Sequence, residues 1–425
     1  MRTPLDSRRA RVGAALPLGD GLLVVGAGEP IPLPEASDQM HEFRAHAEYF
    51  YLAGLDHPGG VMAFDPREGA EAGWVSFVHV VTEAERVWEG RTQLSGRPIS
   101  ELTNWLAARH GRAIAQLGAA VREVAGDAAL TAAVRAAFTH ARRIKDAAEI
   151  ATIRRAADAT AQGFAAMPER LRPGVTERAL QIELEAAFFR AGATRTGFHS
   201  LVGNGPNAAI LHSPPSARAV RGGDFVLIDA GAEIDRYTAD VTRTFVVGTP
   251  SAFQRDLHQT VLAAEQRAIE RCVVGAEWKA VHLAAAVDLV GGLVAMGVMR
   301  GAPESLVEQE AHALFFPHGI GHMVGLGVRD GSGLAAGREK DSRPSLRPLR
   351  MDLPLAAGHV VTVEPGLYFI PAILNDPLRR ERYRDAVNWS RVDHHIGIGG
   401  VRIEDDVLVT PGAPEVLTRA IPKSL

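Results

Sequence analysis

Two stretches of this chain repeat each other. DFVLIDAG, Asp224 to Gly231, aligns without a gap on HVVTVEPG, His359 to Gly366, and sets Asp229 against Glu364. The next apolar run of each copy, ADVTRTFVV and IEDDVLVT, sets Asp240 against Glu404 in the same way. Each carboxylate ends or interrupts a β-branched run of the kind that forms a buried strand, where a charge is costly unless a cation pairs with it. A lone acid on a strand is ordinarily an edge residue facing water. Here the acids fall in matching places of two copies, which can face each other across a pseudo-twofold axis. With His322 of PHGIGHMVGLG, the set Asp229, Asp240, His322, Glu364 and Glu404 reads as a cage for two cations. Oxygen-rich ligation with one imidazole suits Mn2+, Co2+, Zn2+ or Fe2+.

The repeat extends beyond its strands. RPGVTERALQIELEAAFFRAG and VVGAEWKAVHLAAAVDLVGGLVAMG each read as a helix ahead of one strand-rich block, so each half is an α+β unit. Before them, short apolar runs (GLLVV, GVMAF, WVSFVHVV, AIAQL) alternate with helical patterns such as ISELTNWLAARHG, which marks a separate α/β domain. Between the two, ARRIKDAAEIATIRRAADATAQGFAAM reads as one long amphipathic helix. At 425 residues the chain exceeds one simple core, and the expected division is 1–140 and 141–425. The charged, Pro-rich stretch 337–354 is an insertion in the second half, of a length that is usually functional or mobile.

The net charge of -4 gives no basic footprint of the kind nucleic acid requires. Cys272, the only cysteine, excludes an intrachain disulfide and reads as a buried, inert thiol in a cytoplasmic protein. Arg8, Arg9 and Arg11 precede only a short apolar run, Leu22 to Val25, which is a strand rather than a signal peptide. Nowhere do eighteen apolar residues run together, so no membrane span is expected.

Paired cations draw a nucleophile from water at neutral pH, polarise a carbonyl and stabilise a tetrahedral transition state, which suits amide hydrolysis. A proton must still be moved. Glu364 is the best-placed residue to do so, the alternative being that it is a ligand and nothing more. His212, which follows the loop GNGPNAAIL, and His318, four residues before His322, are further candidates, whereas His359 reads as an exposed turn residue. The His318/His322 pair is not the helical HExxH zinc motif, since Gly319 and Gly321 break a helix and the glutamate is missing.

From about Arg142 to Thr410 these motifs resemble the pita-bread metallopeptidases: aminopeptidase P, prolidase and, more distantly, methionine aminopeptidase. LIDAG, ADVTRTF, PHGIGH, TVEPGLYF and GVRIEDD stand in that family's order and spacing. FRAHAEYFYLAGLDHPGGVMAF and VWEGR resemble the non-catalytic N-terminal domain of aminopeptidase P and prolidase. The resemblance implies an N-terminal α/β domain followed by a pseudo-twofold pita-bread catalytic domain, acting as an exopeptidase on dipeptides or short peptides. It implies that Asp229 chelates one metal, that His322 and Glu364 hold the other, and that Asp240 and Glu404 bridge them. His212 and His318 would contact substrate or the tetrahedral intermediate, and Thr242 and Arg402 would support the ligands. Manganese is the metal it implies, with zinc or cobalt as alternatives, and the assembly it implies is a homodimer with one chain's N-terminal domain bordering the other's active site.

Two features bear on substrate. SRPSLRPLR and the long segment before GGVRIEDD resemble prolidase, in which the arginine matching Arg350 grips a dipeptide's free carboxylate; the alternative for Arg350 is a solvated loop residue. HMVGLGVRD departs from the family's HxLGLDVHD, placing Arg329 where a histidine stands and Gly327 where an aspartate stands. A guanidinium stays charged and binds anions instead of carrying protons. A substrate's C-terminal carboxylate is the obvious anion, which opens a carboxypeptidase-like alternative and loosens any strict requirement for Xaa-Pro. A non-catalytic binding module is a third reading, disfavoured by the intact ligand set.

Overall fold

The computed structural model describes residues 3–34 and 39–425. The chain forms two compact units, Met1–Arg142 and Arg143–Leu425. The stretch read as one long helix is broken into helices Ala128–Arg143, Ala147–Ala165 and Met167–Arg170. The first break has a local cause. The Asp146 carboxylate accepts from the amides of Ala148 and Glu149, while the Glu149 side chain accepts from the Asp146 amide, a capping box that starts a new helix.

In the N-terminal unit, strands Arg97–Pro98, Trp74–Val78, Val61–Phe64, Leu22–Gly26 and Ile114–Gly118 lie side by side in that order, in a mixed sheet. Leu22, Val24, Val61, Ala63 and Phe77 pack with Leu102 and Trp105 on one face, while Leu23 and Val25 are equally buried on the other. Both faces are covered, as the unbroken apolar run requires.

The second unit carries the repeat. In its first half, strands Val241–Val246, Phe225–Ala230 and Leu201–Asn204 are antiparallel, with Thr242 opposite Asp229. In its second half, strand Val360–Val363 pairs with Asp405–Leu408, which in turn pairs with Glu415–Val416. The halves meet where the Glu404 amide donates to the Thr242 carbonyl at 3.1 Å. Helices Ala147–Ala165 and Glu177–Arg190 bury Ala156, Leu180, Leu184 and Phe188 against Val226 and Ile228. Helices Ala252–Glu270 and Trp278–Ala295 bury Leu257, Val261, Trp278 and Leu289 in a core shared with Val361 and Val407. Helix Trp278–Ala295 is long and apolar enough by composition to cross a membrane, yet its apolar face is part of that core. Cys272 is fully buried just past Glu270, and burial pushes its thiol up to about 12. Gly231 cannot carry a side chain, because a Cβ there would lie 1.7 Å from the Ala239 carbonyl oxygen.

The segment after His322 is pinned by a fully buried ion pair. Lys145 Nζ lies 3.1 Å from Asp330 Oδ2, with both side chains at 0% exposure. That oxygen also accepts from the Leu326 amide at 2.9 Å. Breaking a buried pair by removing one partner costs roughly 3–5 kcal/mol. Lys145→Met is therefore expected to lower the unfolding free energy of this unit by about that much in denaturant titration; a loss below about 1 kcal/mol would show that the pair is not sealed from water.

Candidate metal centre

Asp229, Asp240, His322 and Glu404 are all buried, and Glu364 is partly so. Asp240, His322 and Glu404 each present a ligand atom within 4.8 Å of the others. His322 Nε2 lies 3.5 Å from Asp240 Oδ2 and 3.8 Å from Glu364 Oε1. The other ring nitrogen, Nδ1, is 3.1 Å from the Met323 carbonyl oxygen and must donate to it. Burial drives the imidazole pKa down to about 4, so the ring is neutral and its Nε2 lone pair faces oxygens of Asp240 and Glu364. The lone pair needs a proton or a cation between it and those oxygens, and once the acids are ionised only a cation can serve.

The other acids show the same deficit. One Asp229 oxygen is buried without a hydrogen-bond partner, and the other is 2.5 Å from Arg402 Nη2. Arg402 Nε donates to Thr242 Oγ1 at 3.0 Å, and Thr242 donates in turn to Glu404 Oε2 at 2.5 Å. Arg402 and Thr242 thus orient one oxygen each of Asp229 and Glu404 and leave the second to a ligand. Burial and neighbouring acids push the Asp240 and Glu404 carboxyls well up, and burial, opposed by Arg402, raises Glu364 to about 7. With one guanidinium among four carboxylates, the donor set fits divalent cations.

His318 is not a free base. Its Nδ1 lies 2.8 Å from the Gly319 carbonyl and its Nε2 lies 2.9 Å from the Tyr368 hydroxyl. Burial lowers its pKa to about 3. Nδ1 donates, so Nε2 accepts from Tyr368, which itself accepts from Arg402 Nη1 at 2.9 Å. Sequence reasoning missed Tyr368, although it stands in TVEPGLYF and a buried tyrosine hydroxyl needs partners. Thr362 was also missed: its hydroxyl accepts from the His322 amide at 3.0 Å.

A cavity of about 570 Å³ opens over the centre. Its wall includes Asp229, Asp240, His322, Glu364, Arg402 and Glu404, together with His212, His318, Arg329 and Arg350. Phe198, His199 and Leu201 also line it, although nothing in the sequence marks them for the site. Arg329 and Arg350 are exposed and, among the described residues, form no ion pair or side-chain hydrogen bond. His359 lies elsewhere. It is 3% exposed and its Nδ1 accepts from the Ala356 amide at 3.2 Å, so the expectation of an exposed turn residue is wrong: the ring closes the turn into strand Val360–Val363.

Residues 151–411 match the profile of metallopeptidase family M24, and residues 5–127 match that of the aminopeptidase P N-terminal domain. A probable Xaa-Pro aminopeptidase of Paracoccidioides lutzii is 30% identical over 434 residues, covering 95% of this chain and 90% of that protein. One from Fusarium vanettenii is 30% identical, covering 93% and 88%. Among solved structures, the aminopeptidase PepP of Pseudomonas aeruginosa superposes with a TM-score of 0.80 at 28% identity, over 100% of this chain and 96% of that one. Zinc-substituted Escherichia coli aminopeptidase P in complex with product gives 0.79 at 26%, over 99% and 95%.

The raised Glu364 carboxyl has a measurable consequence. Its folded value of about 7 lies above the ordinary 4.5, so without metal the folded state holds this proton more tightly than the unfolded chain. Stability from this group is therefore lost as pH rises from 4.5 through about 7. In chelator-treated protein, Glu364→Gln is expected to melt above wild type at pH 7.5 and to lose that advantage at pH 5. Thermal melts that show a constant difference at both pH values would contradict this.

Proposed function

This chain belongs to metallopeptidase family M24, and from that premise we propose that it is an exopeptidase of the Xaa-Pro aminopeptidase type, acting on short peptides at a two-metal centre. The observation that carries the centre is the lone pair of a neutral His322 aimed at oxygens of Asp240 and Glu364. In this proposal Asp229 holds one cation, His322 and Glu364 hold the other, and Asp240 and Glu404 bridge them. Manganese is the proposed metal, supported by the oxygen-rich donor set, with zinc or cobalt able to take its place. When bound, the cations make water nucleophilic at neutral pH and polarise the scissile carbonyl.

The rest falls to the chain's own residues. Glu364, with an edge on the cavity, takes a proton from the attacking water and returns it to the departing amine. His318, both of whose ring nitrogens are engaged, is a fixed wall against which the substrate packs. His212 lines the opening and contacts the same substrate. Arg402 and Thr242 hold Asp229 and Glu404 in register. Arg329 and Arg350, the unpaired cations of the wall, take the carboxylate of a short peptide, as fork-shaped donors do.

Those arginines also favour a second reading, in which the anchored carboxylate places the C-terminal bond over the centre and the enzyme trims from that end. A homodimer and a cytoplasmic setting belong to the same proposal; Val87 and Trp88, 72% and 85% exposed on helix Glu83–Glu89, support an interface on the N-terminal unit.

Metal-free and Mn2+-loaded protein should be assayed on Xaa-Pro dipeptides and on a pentapeptide, with products read by mass spectrometry. Metal-dependent release of the N-terminal residue is expected; release only from the C-terminus selects the second reading, and no release under any metal ends both. Glu364→Gln is expected to lower kcat by at least about 100-fold, the scale of a lost proton carrier. Arg329→Gln should lower kcat/KM about tenfold for dipeptides, the scale of a lost charge-assisted hydrogen bond, and leave C-terminally amidated peptides unaffected; an equal loss on both would remove the carboxylate role.

A further inference from the structure

Behind the ligand strands lies a device that the cavity does not reveal. Arg243, 2% exposed, follows Thr242 on its strand and points away from the cavity side of that strand pair. Its Nη1 donates to the carbonyls of Thr242 and Glu404, at 3.0 and 2.7 Å. Its Nη2 donates to Asp405 Oδ1 at 2.9 Å and to the Ile421 carbonyl at 2.8 Å, and its Nε donates to the Pro422 carbonyl at 2.9 Å. The chain's final segment is therefore tied to the backbone of a proposed bridging ligand through one guanidinium.

The same segment makes two more ties. Lys423 Nζ lies 2.6 Å from Glu265 Oε1 and 2.5 Å from Asp405 Oδ2, both on side chains with 0% exposure. The Thr418 hydroxyl donates to Asp405 and accepts from the Asp406 amide at 3.1 Å, while Asp406 Oδ2 accepts from the Asp240 amide at 3.0 Å. The Asp240 backbone is thus fixed by Asp406 and that of Glu404 by Arg243, and Asp405 and Asp406 are held in turn by Arg243, Thr418 and Lys423. This segment lies beyond residue 411, where the match to the M24 profile ends.

We propose that residues 415–423 form a clamp that sets the cation affinity of the centre, with Arg243, Thr418 and Lys423 as positioning residues that never touch substrate. The physical reason is electrostatic as well as geometric. Glu265 and Asp405 are buried acids drawn onto one ammonium. Without Lys423 the two acids lose the ammonium that bridges them, Asp405 is left to Arg243 and Thr418, and the peptide then free to shift is the one that carries Glu404. Arg243 then holds a displaced carbonyl, and the carboxylate oxygens that must converge on a cation are splayed.

The inference rests on the two-metal reading, and its test separates the two. Apo protein is titrated calorimetrically with Mn2+, and melting temperatures and kinetics are recorded alongside, for wild type, Lys423→Met, Lys423→Arg, Thr418→Val and, as a control for general destabilisation, Leu289→Ala in core helix Trp278–Ala295. Lys423→Met is expected to weaken Mn2+ binding by about 10- to 100-fold, the scale for groups that orient metal ligands. It should lower kcat at subsaturating metal with KM unchanged, and Lys423→Arg should restore most of the affinity. Should Lys423→Met fail to fold, Thr418→Val carries the same expectation with a smaller loss. The proposal is overturned if the clamp variants bind Mn2+ as tightly as wild type, or lose no more affinity than Leu289→Ala at an equal drop in melting temperature. Absence of Mn2+ uptake by wild type would instead remove the two-metal reading beneath it.

Discussion

Four buried or half-buried carboxylates and the lone pair of a neutral imidazole converge on one place, and among the described residues the only Lys or Arg side chain paired with them is Arg402. Desolvation makes such a cluster expensive for a folded chain. The expense is concentrated where strands of both halves meet, at the Thr242–Glu404 link, so neither half can relax it alone. Arg402 spreads its donors over Asp229, Thr242 and Tyr368 and so serves two ligands and the His318 wall at once. The remaining charge deficit is what divalent cations offset, and the peptidase chemistry follows from that deficit.

The same logic explains why the scaffold is so heavily tied around the centre. Gly231 lets the backbone of one ligand strand approach the residue before Asp240. The Lys145–Asp330 pair holds the segment that carries Arg329. Arg243 and Lys423 hold the strand that carries Glu404. Each is an ion pair or a close approach that fixes backbone beside a proposed ligand.

The proposed ligands stood out in the sequence because they break a local rule: an acid inside an apolar strand demands a reason, and the same offence in two aligned copies supplies one. The two α+β halves were legible for the same reason, through repetition. What was not legible depended on pairing at a distance. Arg243 reads as an ordinary charge in ADVTRTF until residues 421–423 are seen beside it, and Tyr368 reads as core until its hydroxyl is seen between Arg402 and His318. The helix break at Asp146 was present as the capping pattern DAAE, but the periodicity of the apolar residues on either side masked it. His359 was misjudged because a polar residue before a strand normally faces water, whereas here its ring satisfies a backbone amide in the turn.

We propose that the acids and His322 exist to hold cations, and the deciding measurement is metal content per chain, by elemental analysis after dialysis of Mn2+-loaded protein against metal-free buffer. Two ions are expected in the wild type, and their loss when Asp240 and Glu404 are both replaced by their amides. A wild-type chain that retains none, or a doubly substituted chain that retains as many, would contradict it.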